Sequence, residues 1–258
     1  MKESTIKKNK SNRKDNLEVT LACVTFLIIW QVVALIINND IYIPTINQTL
    51  NSLKEIIVEK RFYIDVLSTI GRTITSFVVA FLLALILGLS SYSFRIVRNF
   101  LRPINAFLQS IPNMVLIVLA LIWFNKDNAP YIVGFTVVFP ILYDTILGSM
   151  NGIDKSTLEM ANIYKISIMD KILKIYIPSI IFRLVPIIIS TLSLGFKVVI
   201  AGEVHGQPKY GIGTMIQIEK TNFNTSGVFA WLVIILIISL ILEFIKQFIV
   251  RRAFVWKR

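Results

Sequence analysis

The 258-residue chain contains one cysteine and one histidine. A lone thiol, Cys23, forms no internal disulfide, so cysteine usage says nothing about redox compartment. His205 has no second imidazole and no H-E-x-x-H or paired-ligand spacing around it, which leaves no donor set for a metal centre. No paired carboxylates or nucleophile-base cluster suggest an enzyme. None of the 11 glycines opens a G-x-x-x-x-G-K-[ST] phosphate loop, so the chain is not expected to hydrolyse ATP. Long Pro- or Gly-rich linkers and fixed-period repeats are also missing, which points to a single domain.

What is abundant is apolar sequence. Hydrophobic residues make up 55% of the chain, charged residues only 16%, and the mean hydropathy is +0.71; a soluble domain of this length carries less apolar and more charged sequence. A helix needs about 20 apolar residues to cross a hydrocarbon core of about 30 Å. Six runs qualify, at roughly 19–37, 70–92, 104–124, 131–150, 178–201 and 228–249. The first follows the basic stretch "KKNKSNRK" but ends in "ALIINND" without a small-x-small cleavage site, and reads as a retained span. The expected class is an all-α integral membrane protein of about six spans, with a basic tail over 1–18, one transmembrane domain over 19–250 and a second basic tail over 251–258.

Lys and Arg beside membrane spans tend to stay cytoplasmic. An N-terminus inside places the basic groups at Lys7 to Lys14, Arg95, Arg98, Arg102, Lys155, Lys165, Lys171, Lys174 and Arg251 on the cytoplasmic side, and only a few, such as Lys60 and Lys126, outside. Both termini are then cytoplasmic. The same distribution accounts for the net charge of +12, which flanks the spans and forms no stripe for nucleic acid.

Between spans four and five lies a mixed segment, 151–177, on the cytoplasmic side. "STLE" at 156–159 has the form of a capping box, and the apolar residues that follow have helical spacing. Periodicity alone fits both a helix lying in the headgroups and a helix docked in a partner's groove.

Glu159, Met160, Ala161, Lys165, Ile175, Ile177 and Pro178 fall at the positions of the E-A-A-x-x-x-G-x9-I-x-L-P loop of bacterial ABC-importer permeases. "IPT" at 43–45, "STIGRTITSFVVAFLLALILGL" at 68–89, "SIPNMVLIVLALIWF" at 110–124, "FP" at 139–140, "AGEV" at 201–204 and "GIG" at 211–213 follow in the order seen in the nitrate/sulfonate/taurine branch, which the chain resembles from about residue 30 to 256. The resemblance implies a type I importer permease whose segment 151–177 is a coupling helix docked on a cytoplasmic ABC ATPase. It also implies a second permease subunit, a homodimer, and an extracytoplasmic binding protein that delivers the solute. This chain would bind no cofactor; ATP and Mg would sit in the ATPase. The branch suggests a sulfonate, taurine, nitrate or bicarbonate as cargo, with a thiamin-precursor pyrimidine as the neutral alternative. An ion-coupled secondary transporter or channel is the alternative class.

Two positions depart from the pattern. Met160 stands where the pattern has Ala, and Lys165 where it has Gly. A glycine permits a positive-φ turn between two short helices, whereas lysine either strains that turn or continues the helix. Glu159 is expected to contact the ATPase or to cap the helix start, two roles that are compatible with each other.

Charged and polar residues inside the spans are candidates for the pathway, because a charge at a helix centre costs about 2.5–3.5 kcal/mol on insertion scales. Arg72 is expected to snorkel from the outer end of span two. Lys197 is expected to pair with Glu203 or Asp144, to line an anion path, or to snorkel. Asp144 also fits a hydrogen-bonded interior position, while Gln109 and Asn113, either side of Pro112, serve packing or the pathway.

Overall fold

The computed structural model describes the backbone of residues 2–253 and the side chains of 17–250; of the two expected basic tails, the side chains of 2–16 and 251–258 and the backbone beyond 253 lie outside the described part. By internal contacts the chain divides into two units, 1–59 with 219–232, and 60–218 with 233–258.

In the first unit, α1 (Lys2–Ile37) carries an apolar run from Leu17 and is followed by the short amphipathic α2 (Ile46–Val58). The turn between them is held by polar bonds. The Trp30 indole N–H donates to the Pro44 carbonyl at 3.0 Å, and the Ile46 amide donates to Gln31 Oε1 at 3.1 Å. Thr45 caps α2 in a reciprocal box with Gln48, so two amides left orphaned at the helix start find partners. The start of α11 (Thr225–Ala253) joins this unit through Ser226, 2.9 Å from Ser52, and Phe229, whose ring lies 5.4 Å from that of Trp30.

The second unit is built on α3 (Lys60–Ser93), α6 (Ala129–Asn151) and α9 (Ile177–Gly206). Ser76, Ala80, Ala84 and Gly88 recur every fourth residue on α3, all buried, and let α6 approach closely. A Cβ on Gly88 would lie 2.9 Å from the Ile146 side chain, and one on Gly134 of α6 2.8 Å from Val199 of α9. Val138, Leu142 and Ile146 fill the opposite side of the contact at helical spacing. Such packing matters in lipid, where burial of apolar surface gives helices no advantage over contact with acyl chains. Ser91 near the end of α3 accepts from the Tyr143 hydroxyl of α6, and Thr69 near its start meets Glu203 of α9; α3 and α6 therefore run parallel and α9 antiparallel to both.

Among the described residues five helices are long and apolar enough to cross a membrane, or six if a bent pair counts as one span; that pair is the run expected over 104–124, which is broken. It forms α4 (Arg95–Ser110) and α5 (Asn113–Trp123), bent by 106° from each other. Pro112 causes the break. It supplies no N–H, and it pushes Ile111 to an extended ψ of 129°. The 11 residues of α5 span only about 16 Å at 1.5 Å per residue, too short to cross alone. The second span also starts earlier than residue 70, at Lys60, because the segment before it continues as helix.

Candidate functional site

At the shared end formed by the α3 start and the α9 finish, polar side chains meet inside the helix packing. Asp65, Thr69 and Arg72 lie on one face of α3 at i, i+4 and i+7. From α9 comes Glu203, fully buried. Arg72 Nη1 lies 2.8 Å from Glu203 Oε1 and 2.6 Å from the Tyr210 carbonyl. The Thr69 hydroxyl is 2.8 Å from Glu203 Oε2, and the Gly213 amide donates to the same oxygen at 3.0 Å. Gly211 N–H donates to Asp65 at 2.8 Å, and Ile212 N–H to Thr69 at 2.9 Å. Three successive amides of the loop entering α10 (Ile212–Thr221) are thus held by side chains of α3 and α9.

The glycines of "GIG" are explained by this carboxylate. Gly211 adopts φ +151°, and a Cβ there would fall 2.6 Å from the Glu203 carboxyl carbon. A Cβ on Gly213 would run into the Ile200 carbonyl and the Glu203 side chain. The arrangement pins a loop; it offers no nucleophile, and the described residues hold no cluster of metal-ligating groups.

The expectation for Arg72 is corrected here. The residue lies twelve positions into α3, is 7% exposed, and pairs with Glu203, so it does not snorkel. Lys197 pairs with neither Glu203 nor Asp144. It sits on an exposed face of α9 with no partner among the described residues, while Glu203 is committed to Arg72. Asp144 accepts from Asn105 Nδ2 and from Gln109 Nε2, each at 2.7 Å. Asn113 is exposed at the first position of α5, immediately after the break.

The segment joining α6 to α9 forms two short helices. The first is α7 (Lys155–Ile163), and its cap is Asp154, not Ser156. Ser156 donates to Asp154 through both its amide and its hydroxyl, which holds the Asp154 carboxyl below the usual carboxylate range. Glu159 therefore caps nothing. It is exposed beside Met160, with no partner among the described residues, while Ala161 is fully buried.

Lys165 takes the left-handed conformation, φ +50°, that glycine would favour. Its amide donates to Asn162 O at 3.0 Å and the next amide, of Ile166, to Ala161 O at 2.9 Å, which closes α7 in a Schellman motif. The turn persists in spite of the side chain. The second short helix, α8 (Ile168–Lys171), is capped by Ser167 and runs through a π-helical turn, Ile172–Tyr176, into α9. Ile175 and Pro178 are half-buried in this passage and Ile177 is 40% exposed. Replacing Lys165 by Gly is expected to stabilise the fold by up to about 1 kcal/mol, because the left-handed conformation costs an L-residue about 1–2 kcal/mol and the larger unfolded-chain entropy of glycine offsets part of that gain. Thermal unfolding of the variant in nanodiscs checks it; a loss of stability would count against the strain.

The buried residues Asp65, Thr69 and Asn105 were not singled out in the sequence. The signal for the first two was their common helical face with Arg72, polar within an otherwise apolar run.

Helices long and apolar enough to cross a membrane, with a pinned loop at the Glu203 end of α3 and α9 and a capped helical loop exposing a carboxylate beyond the other end of α9, have the form of an integral membrane transport subunit. Residues 80–255 match the family model for the binding-protein-dependent transport system inner membrane component, and the chain belongs to that family of ABC-transporter permeases. It is 26% identical over 252 residues to a putative ABC transporter permease of Methanocaldococcus jannaschii, covering 94% of this chain and 92% of that protein. To the putative aliphatic sulfonates transport permease SsuC of Bacillus subtilis it is 22% identical, covering 99% and 93%. The nitrate import permease NrtB of Synechococcus elongatus is 28% identical over 60% of this chain and 59% of its own length.

Proposed function

We propose that this chain forms the pathway for a small anion in an ATP-driven importer, as one of two identical permease subunits, with its termini in the cytoplasm. An ABC ATPase, holding ATP and Mg, docks on the α7–α8 segment, and an extracytoplasmic binding protein delivers the solute to the end where Glu203 lies. The observation that carries this reading is the α7–Lys165–α8 turn. It displays Glu159 and Met160 at the end of the bundle that also carries Arg95, Arg98 and Lys155, the end the charge bias assigns to the cytoplasm. The putative aliphatic sulfonates transport permease and the nitrate import permease among the relatives support an anionic cargo. Lys197, exposed on α9 and without a partner among the described residues, supplies a cation for it. ATP and loaded binding protein would each favour one of two packings of the helices, which is how hydrolysis elsewhere moves a pathway here.

The test is reconstitution with an ABC ATPase and a binding protein, followed by uptake of labelled ethanesulfonate, nitrate and a hydroxymethylpyrimidine. ATP-dependent uptake of an anion is expected. Lys197→Met should lower it about tenfold while basal ATP hydrolysis and binding-protein docking survive. Uptake without ATP, or of the pyrimidine alone, would overturn the reading; full uptake by Lys197→Met would remove that residue from the path.

A further inference from the structure

Where α4 crosses α6, a niche of roughly 440 Å³ is lined by Arg98, Arg102, Asn105, Gln109, Tyr143 and Asp144. Its two kinds of charged side chain do not pair with each other. Asp144 is exposed on α6 and is steadied by two amide N–H donors, from Asn105 and Gln109 one turn apart on α4. Arg98 spends Nε and Nη2 on the carbonyls of Ser91 and Tyr92. Arg102, one turn further along, is exposed and has no partner among the described residues. Asn105 is 7% exposed, and its carbonyl oxygen is buried with no donor, although the same amide group reaches Asp144 through its nitrogen. An unsatisfied buried oxygen of this kind is costly, and beside a carboxylate it is an acceptor for a further N–H.

We propose that the niche binds a small zwitterion, its ammonium against Asp144 and the Asn105 carbonyl and its oxyanion against the free guanidinium of Arg102. An anion alone would meet Arg102 but also the Asp144 carboxylate. A cation alone would meet two arginines. A molecule bearing both charges a few bonds apart satisfies each wall and supplies the donor that Asn105 lacks. The inference rests on the importer reading and narrows its cargo to an amino-bearing anion; the same chemistry is also present in an ethanolamine phospholipid headgroup.

Saturation-transfer NMR on the intact permease–ATPase complex in phosphatidylglycerol nanodiscs tests it, with taurine as the zwitterion and isethionate as the same anion with a hydroxyl in place of the ammonium. Taurine is expected to give at least a fivefold stronger signal than isethionate. Asp144→Asn, which keeps the side-chain shape, should bring taurine down to the isethionate level, and the exposed Arg102→Gln should weaken taurine at least threefold. Equal signals for the two probes, or a taurine signal that survives both substitutions, would overturn the proposal. Adding phosphatidylethanolamine to the nanodiscs separates the sources: displacement of taurine assigns the niche to the headgroup, and an unchanged signal assigns it to the solute. Should anion uptake fail in reconstituted importer while taurine binding keeps these dependences, the importer reading falls and the niche stands.

Discussion

Glu203→Gln and Arg72→Met are each expected to cost the folded permease about 3–5 kcal/mol, the usual penalty when one partner of a buried ion pair is removed. Glu203 accepts from Arg72, Thr69 and Gly213, and its carboxylate is wholly shielded, so the loss is not confined to one bond. Gln keeps the size of Glu203 but turns one of its two acceptor oxygens into an NH2, which meets a donor whichever way the amide is oriented, Arg72 on one side or the Gly213 N–H on the other. Met in place of Arg72 leaves the carboxylate buried without its cation and the Tyr210 carbonyl without its donor. Thermal unfolding in nanodiscs, with the amount of inserted protein as a second readout, measures both. Pairing Arg72→Met with Glu203→Met should recover only part of the loss, because the Gly213 amide loses its acceptor and the Tyr210 carbonyl its donor, while the Thr69 hydroxyl falls back on the Asp65 carbonyl. Wild-type stability in either single variant would show that the pair does not hold the loop.

Glu159→Lys is expected to leave folding nearly unchanged and to damage coupling severely. Glu159 is exposed and makes no bond among the described residues, and substitutions at such sites usually change stability by no more than about 0.5 kcal/mol. At the centre of a partner interface the same change replaces attraction by repulsion, and losses of about 2 kcal/mol or more are typical there, equivalent to at least about tenfold in affinity. The amount of ATPase retained on the purified permease, and substrate-stimulated hydrolysis in vesicles, should both fall at least tenfold. Unchanged retention together with unchanged stimulated hydrolysis would remove Glu159 from the interface. Lys165→Gly on the same loop serves as the contrast, since relief of the left-handed strain should not weaken docking.

Much of the architecture was written in the chain as one-dimensional properties. Hydrophobic runs mark where helices can cross a bilayer, and the five long apolar helices lie where five of those runs do. The sixth run corresponds to the bent pair α4 and α5, which makes a sixth span only if the two are taken together; hydropathy averages over a window and gives no sign of the bend, which is steric, sits at Pro112 and turns the backbone by 106°. In the candidate site the residue types were legible and the partners were not. Arg72 and Glu203 both stood out as charges in apolar sequence, yet their pairing joins positions 131 residues apart and depends on which faces of α3 and α9 meet. Lys197 looked like the natural partner for Glu203 because it is near in sequence; on a helix, six residues of separation puts the two on different faces.

By itself the sequence determined that this is a helical membrane protein of the importer-permease kind, with a mixed loop between its fourth and fifth apolar runs, because composition, spacing and local motifs need no knowledge of distant neighbours. The tertiary structure alone decided that Arg72 is buried against Glu203, that Asp144 faces α4, and that Lys165 holds a left-handed turn. Each of these follows from three-dimensional packing, in which a stripe of small residues sets how closely two helices approach and so which side chains meet across them.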